Sequence, residues 1–245
     1  MLGTSLDVSM LTIVVVGAVV GGFVTGLAGF GTALVASGLW FHALPATMVP
    51  PLVAMSSVAA QIVGLMTVRK AFDWSRASPY LVGGTIGVPL GIVALAAASP
   101  IVLRTSVGAF LIVYAVYQLL RRRDHKIASW GGKSADSVIG VAGGFLGGFA
   151  GLSGPLPLIW LQLRGGKPDS QRAIYQPFNL IVLTFASFGM AVTGQVTVPT
   201  LWISFLCLPA TLAGGQVDAA ENVHVKTISV AFMHHQVGEF RFQVR

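Results

Sequence analysis

Between Asp7 and Arg69 the chain carries no Asp, Glu, Lys or Arg, and the same holds across 77–103, 137–163 and 173–217. Each stretch exceeds the roughly 20 residues with which an α-helix crosses the hydrocarbon core of a bilayer. Backbone in lipid has to satisfy its own polar groups, so stretches of this kind fold as helices. Only 9% of the chain is charged and its mean hydropathy is +0.80, whereas a soluble domain carries roughly 25% charged residues. The expected class is an all-α polytopic membrane protein with the lipid bilayer as its surroundings.

The net charge of +7 does not point to nucleic acid, because the cations sit in short loops between apolar runs. Orientation in the membrane explains them better. The absence of Lys or Arg ahead of the first apolar run argues against a cleaved signal peptide. The single Cys207 excludes an internal disulfide and reads as packing.

Seven spans are expected, at about 8–41, 47–68, 79–97, 100–120, 136–163, 173–193 and 198–215. Two of them share a motif. The segment from Gly21 to Phe30 (Gly-Gly-Phe-Val-Thr-Gly-Leu-Ala-Gly-Phe) returns 122 positions later, from Gly143 to Leu152, as Gly-Gly-Phe-Leu-Gly-Gly-Phe-Ala-Gly-Leu. Pro79 and Pro89 find counterparts 120 positions on in Pro199 and Pro209, and Pro50 finds one in Pro177 at a spacing of 127. Mid-span proline removes a helical hydrogen bond, so these spans are expected to break in the same places twice. The expected organisation is a first transmembrane repeat over 1–126 and a second over 136–232, each of about four helices with a broken, glycine-rich helix.

The second repeat ends early. Arg104 to Phe110 opens the fourth span, and Lys226 to Phe232 answers it, but Met233-His234-His235-Gln236-Val237-Gly238-Glu239 cannot cross a bilayer where Leu111 to Tyr117 can. The last helix is therefore read as incomplete and 233–245 as a divergent polar tail, either non-native from a shifted frame or a natural amphipathic end.

If each long element crosses once, four spans separate the two motifs and the repeats share an orientation. The basic loops around Arg69–Arg76 and Arg121–Lys133 then lie on one side, cytoplasmic by the positive-inside rule. Arg164, Lys167 and Arg172 would lie opposite, against the rule. Either 151–163 re-enters, or these cations serve another purpose.

All eight acidic residues lie at span ends, in loops or in the tail, so no mid-membrane carboxylate offers a proton relay or cation site. No spaced His, Cys, Asp and Glu cluster suggests a metal, and no serine has an activating His or Asp neighbour. Neither an enzyme nor a cofactor is expected. The glycine segments offer different chemistry. Around Gly29, Gly31 and Thr32, and around Gly151, Ser153 and Gly154, backbone can unwind without steric penalty. Helix N-termini freed there carry partial positive charge, which suits an anion. Thr32 and Ser153 add hydroxyls, and Pro155 favours a new helix start. Asn179 is the best-placed further polar residue, close to Pro177. Ser56, Ser57, Gln61 and Gln176 read as interhelical hydrogen bonds, and Trp40, Trp130, Trp160, Tyr114 and Tyr117 as interface anchors. The competing reading of the glycines is close helix packing through small residues.

The duplicated Gly-x-x-x-Gly-[Leu/Phe]-Ala-Gly-[Phe/Leu] segment, the Pro50 and Pro177 region and the basic loop between the halves resemble the sulfite exporter TauE/SafE family over residues 8–232. The resemblance implies a bacterial inner-membrane permease of eight spans that moves small anions such as sulfite, sulfoacetate and related organosulfur compounds. It carries over no catalytic residue; Gly29, Gly31, Gly151 and Gly154 match its glycine-rich segments. The lost end of the eighth span departs from the pattern.

Overall fold

Both expected long elements break at their glycine motif. A computed structural model describes residues 8–28, 30–68, 73–120 and 131–215, which form nine α-helices and no strand. They are α1 (Val8–Ala28), α2 (Thr32–Ala43), α3 (Val49–Val68), α4 (Trp74–Ala97), α5 (Pro100–Leu120), α6 (Gly132–Ala150), α7 (Pro155–Arg164), α8 (Pro168–Val192) and α9 (Val198–Gly215). By length and composition, five of them (α1, α4, α5, α8 and α9) suffice to cross a membrane. The polar tail 233–245 lies outside the described residues.

The breaks follow from backbone conformation. Gly151 adopts φ 74° and ends α6, its N–H donating to Gly147 O at 2.9 Å while Leu152 N–H reaches Leu146 O at 3.1 Å. This is a left-handed glycine cap, which closes the last turn and turns the chain away. Pro155 then opens α7 at a position where no N–H is needed. In the first hairpin Gly31, at φ 139°, precedes the start of α2. The prolines do not break helices as expected: α4 runs unbroken through Pro79 and Pro89, and α8 through Pro177. A proline removes one hydrogen bond but keeps a helical φ, whereas a glycine at positive φ leaves the helix altogether.

Each break folds the chain back. Along α1, α2 returns far enough for Trp40 Nε1 to donate to Val14 O at 3.0 Å. Along α6, α7 returns until Arg164 donates to Gly132 O at 2.8 Å. The segment 136–163 is thus a re-entrant hairpin and not a span, and Arg164 comes back to the end where Arg76 and Lys133 lie.

Three helices, α3, α4 and α5, lie between the two motifs, where four spans were expected, and the two hairpins enter from opposite ends. Contacts along the chain agree. Arg104, in the first turn of α5, donates to Leu44 O just past α2, which puts the mouth of the α1–α2 hairpin at the end opposite Arg76. Gln195, just past α8, reaches Ile92 near the end of α4.

The two hairpins are also flanked alike. On α4, Gly83, Gly87 and Gly91 face the carbonyls of Ser137, Val141 and Phe145; on α6, Gly140, Gly144 and Gly148 face those of Tyr80, Gly84 and Val88. The approach is so close that a Cβ at any of the six would fall on a carbonyl oxygen. The two helices run parallel, as close packing through small residues allows. Gly22 of α1 meets the Thr211 carbonyl of α9 in the same way, and Gly214 meets that of Val19. Gly144 lies 122 positions after Gly22, but Thr211 lies 127 after Gly84. Pro79 and Pro199, or Pro89 and Pro209, matched at 120, therefore do not hold equivalent packing positions.

Polar and apolar side chains are distributed inside out. Val82, Ile86, Leu90 and Val93 of α4 and Ile112, Val113 and Leu119 of α5 face outward, while Ser57, Gln61, Ser153, Gln176 and Asn179 are buried. Lipid accepts the first set, and the interior has to satisfy the second.

Candidate functional site

Both breaks, one from each hairpin, open on the same cavity between α3 and α8. Gly31 and Thr32 line it from one side, Gly151, Ser153 and Gly154 from the other, and Asn179 of α8 from a third. Six of the seven residues expected from the sequence are therefore brought together; Gly29 lies outside the described residues.

Hydroxyls close the first break. Thr32 N–H donates to Thr25 Oγ1 at 2.6 Å, and Thr32 Oγ1 donates to Gly21 O at 3.1 Å. The Thr25 hydroxyl, 2.7 Å from Thr32 Oγ1, is left as donor in that pair. At the second break Ser153 Oγ donates to Asn179 Oδ1 at 2.9 Å. A Cβ on Gly154 would stand 2.9 Å from Asn179 Nδ2, and one on Gly151 would stand 2.8 Å from Val53 Cγ1 and 3.0 Å from Ala54 N. These glycines are thus required twice over at Gly151, by conformation and by the approach of α3.

Two helices begin at the cavity wall. The first-turn N–H groups of α2 have no intrahelical acceptor, and Ala33 and Leu34 of that turn line the space. The α7 start offers fewer donors, because Pro155 and Pro157 have no N–H. The positive end of each helix dipole nevertheless points at the break, so the electrostatics favour an anion.

Ser57 and Gln61, expected to make interhelical hydrogen bonds, also line the cavity from α3. Ser57 Oγ is buried and has no hydrogen-bond partner among the described residues. An unsatisfied buried hydroxyl in a native fold calls for an explanation, and a wall facing a polar solute supplies one. The signal was the pair of adjacent serines four residues before Gln61, one helical turn apart.

The cavity amounts to about 20 Å³. One water needs roughly 10–15 Å³ on this measure, so the space suits a water and is too small for an oxyanion with four or more heavy atoms. Phe30, in the first break, lines it and packs edge-on against Tyr175 at 6.0 Å and Tyr114 at 6.5 Å. The structure is closed around the site.

A second polar cluster sits at the mouth of the α6–α7 hairpin. Asp136, 6% exposed, accepts from Tyr80 Oη at 2.6 Å, Trp160 Nε1 at 2.7 Å and Arg164 at 3.0 Å. Its carboxylate ties α4, α6 and α7 together. Trp160 and Trp40 are buried donors to Asp136 and Val14, and Tyr114 is a buried acceptor from Gln118 at 2.9 Å. None of the three is an interface anchor as expected; Trp130 lies outside the described residues.

With this geometry in hand, comparison with known families is decisive for class. The sulfite exporter TauE/SafE family matches residues 13–233, almost the whole chain. The chain belongs to that family. It is accordingly a multi-pass membrane transporter of the sulfite-exporter type, and family membership speaks for transport and not for enzymatic catalysis. Neither the curated proteins nor the solved structures provide a match.

Proposed function

We propose that this transporter moves a small oxyanion (sulfite, sulfoacetate or a related organosulfur anion) out of the cell across a bacterial inner membrane. The anion would bind where the two broken helices meet, held by Thr32, Ser153, Asn179 and the helix starts next to Gly31 and Gly154. Gly29, outside the described residues, belongs to the same stretch of sequence.

The observation that carries this reading is that two glycine breaks, far apart in sequence, open on one buried cavity from hairpins that enter from opposite ends. Such an arrangement supports an inverted pair of repeats, each half supplying one broken helix to a midplane site. The cation-rich end is cytoplasmic by the positive-inside rule, and with 151–163 re-entrant, Arg164 and Lys167 now obey that rule.

The packing reading has its own support, but at different glycines. Gly144 and Gly148 face the α4 backbone and account for themselves as helix contacts. Gly31 and Gly151 are closely packed too, but packing alone does not explain their positive φ values, with which one starts α2 and the other ends α6 beside the cavity.

The test is flux of labelled sulfite and sulfonates in proteoliposomes at several pH and sodium values. Gly151→Leu is expected to abolish flux while the protein still inserts; full flux in that variant would sink the site. Loss of assembly alone would favour a scaffold.

A further inference from the structure

A much larger space lies at the cation-rich end, away from the closed cavity. This cleft of about 510 Å³ is lined by Arg76 of α4, Lys133 of α6 and Arg164 at the end of α7, with Ser75, Gly132 and Ser170 beside them. The lining holds one carboxylate, Asp136, and that group is taken up by Tyr80, Trp160 and Arg164. Arg76 has an outward ion pair to Asp73 at 3.5 Å, and Lys133 has no carboxylate partner among the described residues. The cleft wall is therefore positive overall.

Arg76 and Lys133 sit in the first turns of α4 and α6. The N-terminus of a helix already bears about half a positive charge, and a cation there is unfavourable unless an anion lies near. At α4 the cap residue Asp73 accepts the Arg76 backbone N–H and pairs with its guanidinium, and at α8, whose first turn holds Ser170, Asp169 stands in the same turn. At α6 neither the Gly131 cap nor the first turn carries an acid. Lys133 is the cation that a bound anion would compensate.

We propose that this cleft is a second binding site, for a small oxyanion of the sulfite, sulfonate or phosphate type, at the cytoplasmic mouth of the transporter. Its size accommodates a hydrated anion, which the closed cavity does not. Charged walls raise the local anion concentration and the rate of capture, and salt screens both. The proposal rests on the permease reading only for where the anion goes next; binding to the cleft does not require flux.

The experiment measures sulfite binding calorimetrically, under anaerobic conditions and low ionic strength, to the full chain in nanodiscs of phosphatidylcholine. Wild type is expected to bind, and added sodium chloride to weaken binding. The variant Arg76→Gln/Lys133→Gln is expected to weaken it at least tenfold, while Lys133→Arg retains it. Both side chains are exposed, and the cap at Asp73 uses the backbone N–H of Arg76, so the charge variants keep their helix starts. Binding to Arg76→Gln/Lys133→Gln as tight as to wild type overturns the proposal. Loss of sulfite binding in phosphatidylglycerol nanodiscs but not in phosphatidylcholine upholds the oxyanion site and assigns its source to a lipid headgroup. Binding in the cleft without any sulfite flux upholds the site and removes the permease reading; flux with unchanged binding in the charge variant does the reverse.

Discussion

The two hairpins make the same turn and hold it differently. The α6–α7 hairpin is locked at both ends: at the tip by the Gly151 cap and the Ser153–Asn179 bond, and at the mouth by a buried carboxylate with three donors. The α1–α2 hairpin has threonine hydroxyls at its tip and, further down, the single indole bond from Trp40 to Val14 O. Among the described residues no ion pair holds it. Its break also carries Phe30, which lines the cavity. Opening a closed site requires one wall to move, and the wall with weaker anchors is α1–α2. Both hairpins are backed by a glycine contact, α6 on α4 and α1 on α9, so it is the ionic mouth that makes α6–α7 the fixed wall.

The largest effect expected from this contrast is at Asp136. Asp136→Ala leaves the Arg164 guanidinium, the Trp160 indole and the Tyr80 hydroxyl without their shared acceptor. Breaking a buried ion pair from one side costs about 3–5 kcal/mol, and thermal unfolding in detergent should show a drop of many degrees. Replacing both partners, as in Asp136→Leu/Arg164→Met, should recover much of the loss. If Asp136→Ala melts as wild type does, the fixed-wall description of α6–α7 is wrong.

That contrast is only half visible in the sequence. Duplication of the glycine motif announces both breaks and brings six site residues to one cavity. Hydropathy cannot distinguish a span from a hairpin, because 136–163 is long enough for either; what decides is the pairing of Arg164 with Asp136 and Gly132. The prolines mislead for a related reason, since their effect on hydrogen bonding is written in the sequence but the continuity of α4 and α8 is not. Trp40, Trp160 and Tyr114 sit near helix ends, where aromatic residues also anchor to the interface, and only packing shows that they point inward.

A middle-sized effect is expected at Ser153. Ser153→Ala removes the bond to Asn179 and leaves a buried carboxamide oxygen unsatisfied, at about 1–3 kcal/mol. If Ser153 also holds the anion, sulfite flux should fall at least tenfold. Ser153→Thr, which keeps a hydroxyl, should retain part of that flux. A melting shift with unchanged flux would leave Ser153 a strut of the fixed wall and move the anion toward Thr32.

The smallest effect tests the mobile wall. Trp40→Phe removes the indole N–H that fastens α2 to α1 but retains most of the ring, and the loss of one hydrogen bond is worth about 0.5–1.5 kcal/mol. A change of that size barely alters the melting temperature of the whole protein. It should be seen in motion: α2 backbone amides of the variant are expected to exchange with deuterium faster than those of wild type, while α7 amides keep their protection. If α7 loosens as much as α2, the two hairpins move as one, and the distinction between a fixed and a mobile wall disappears with it.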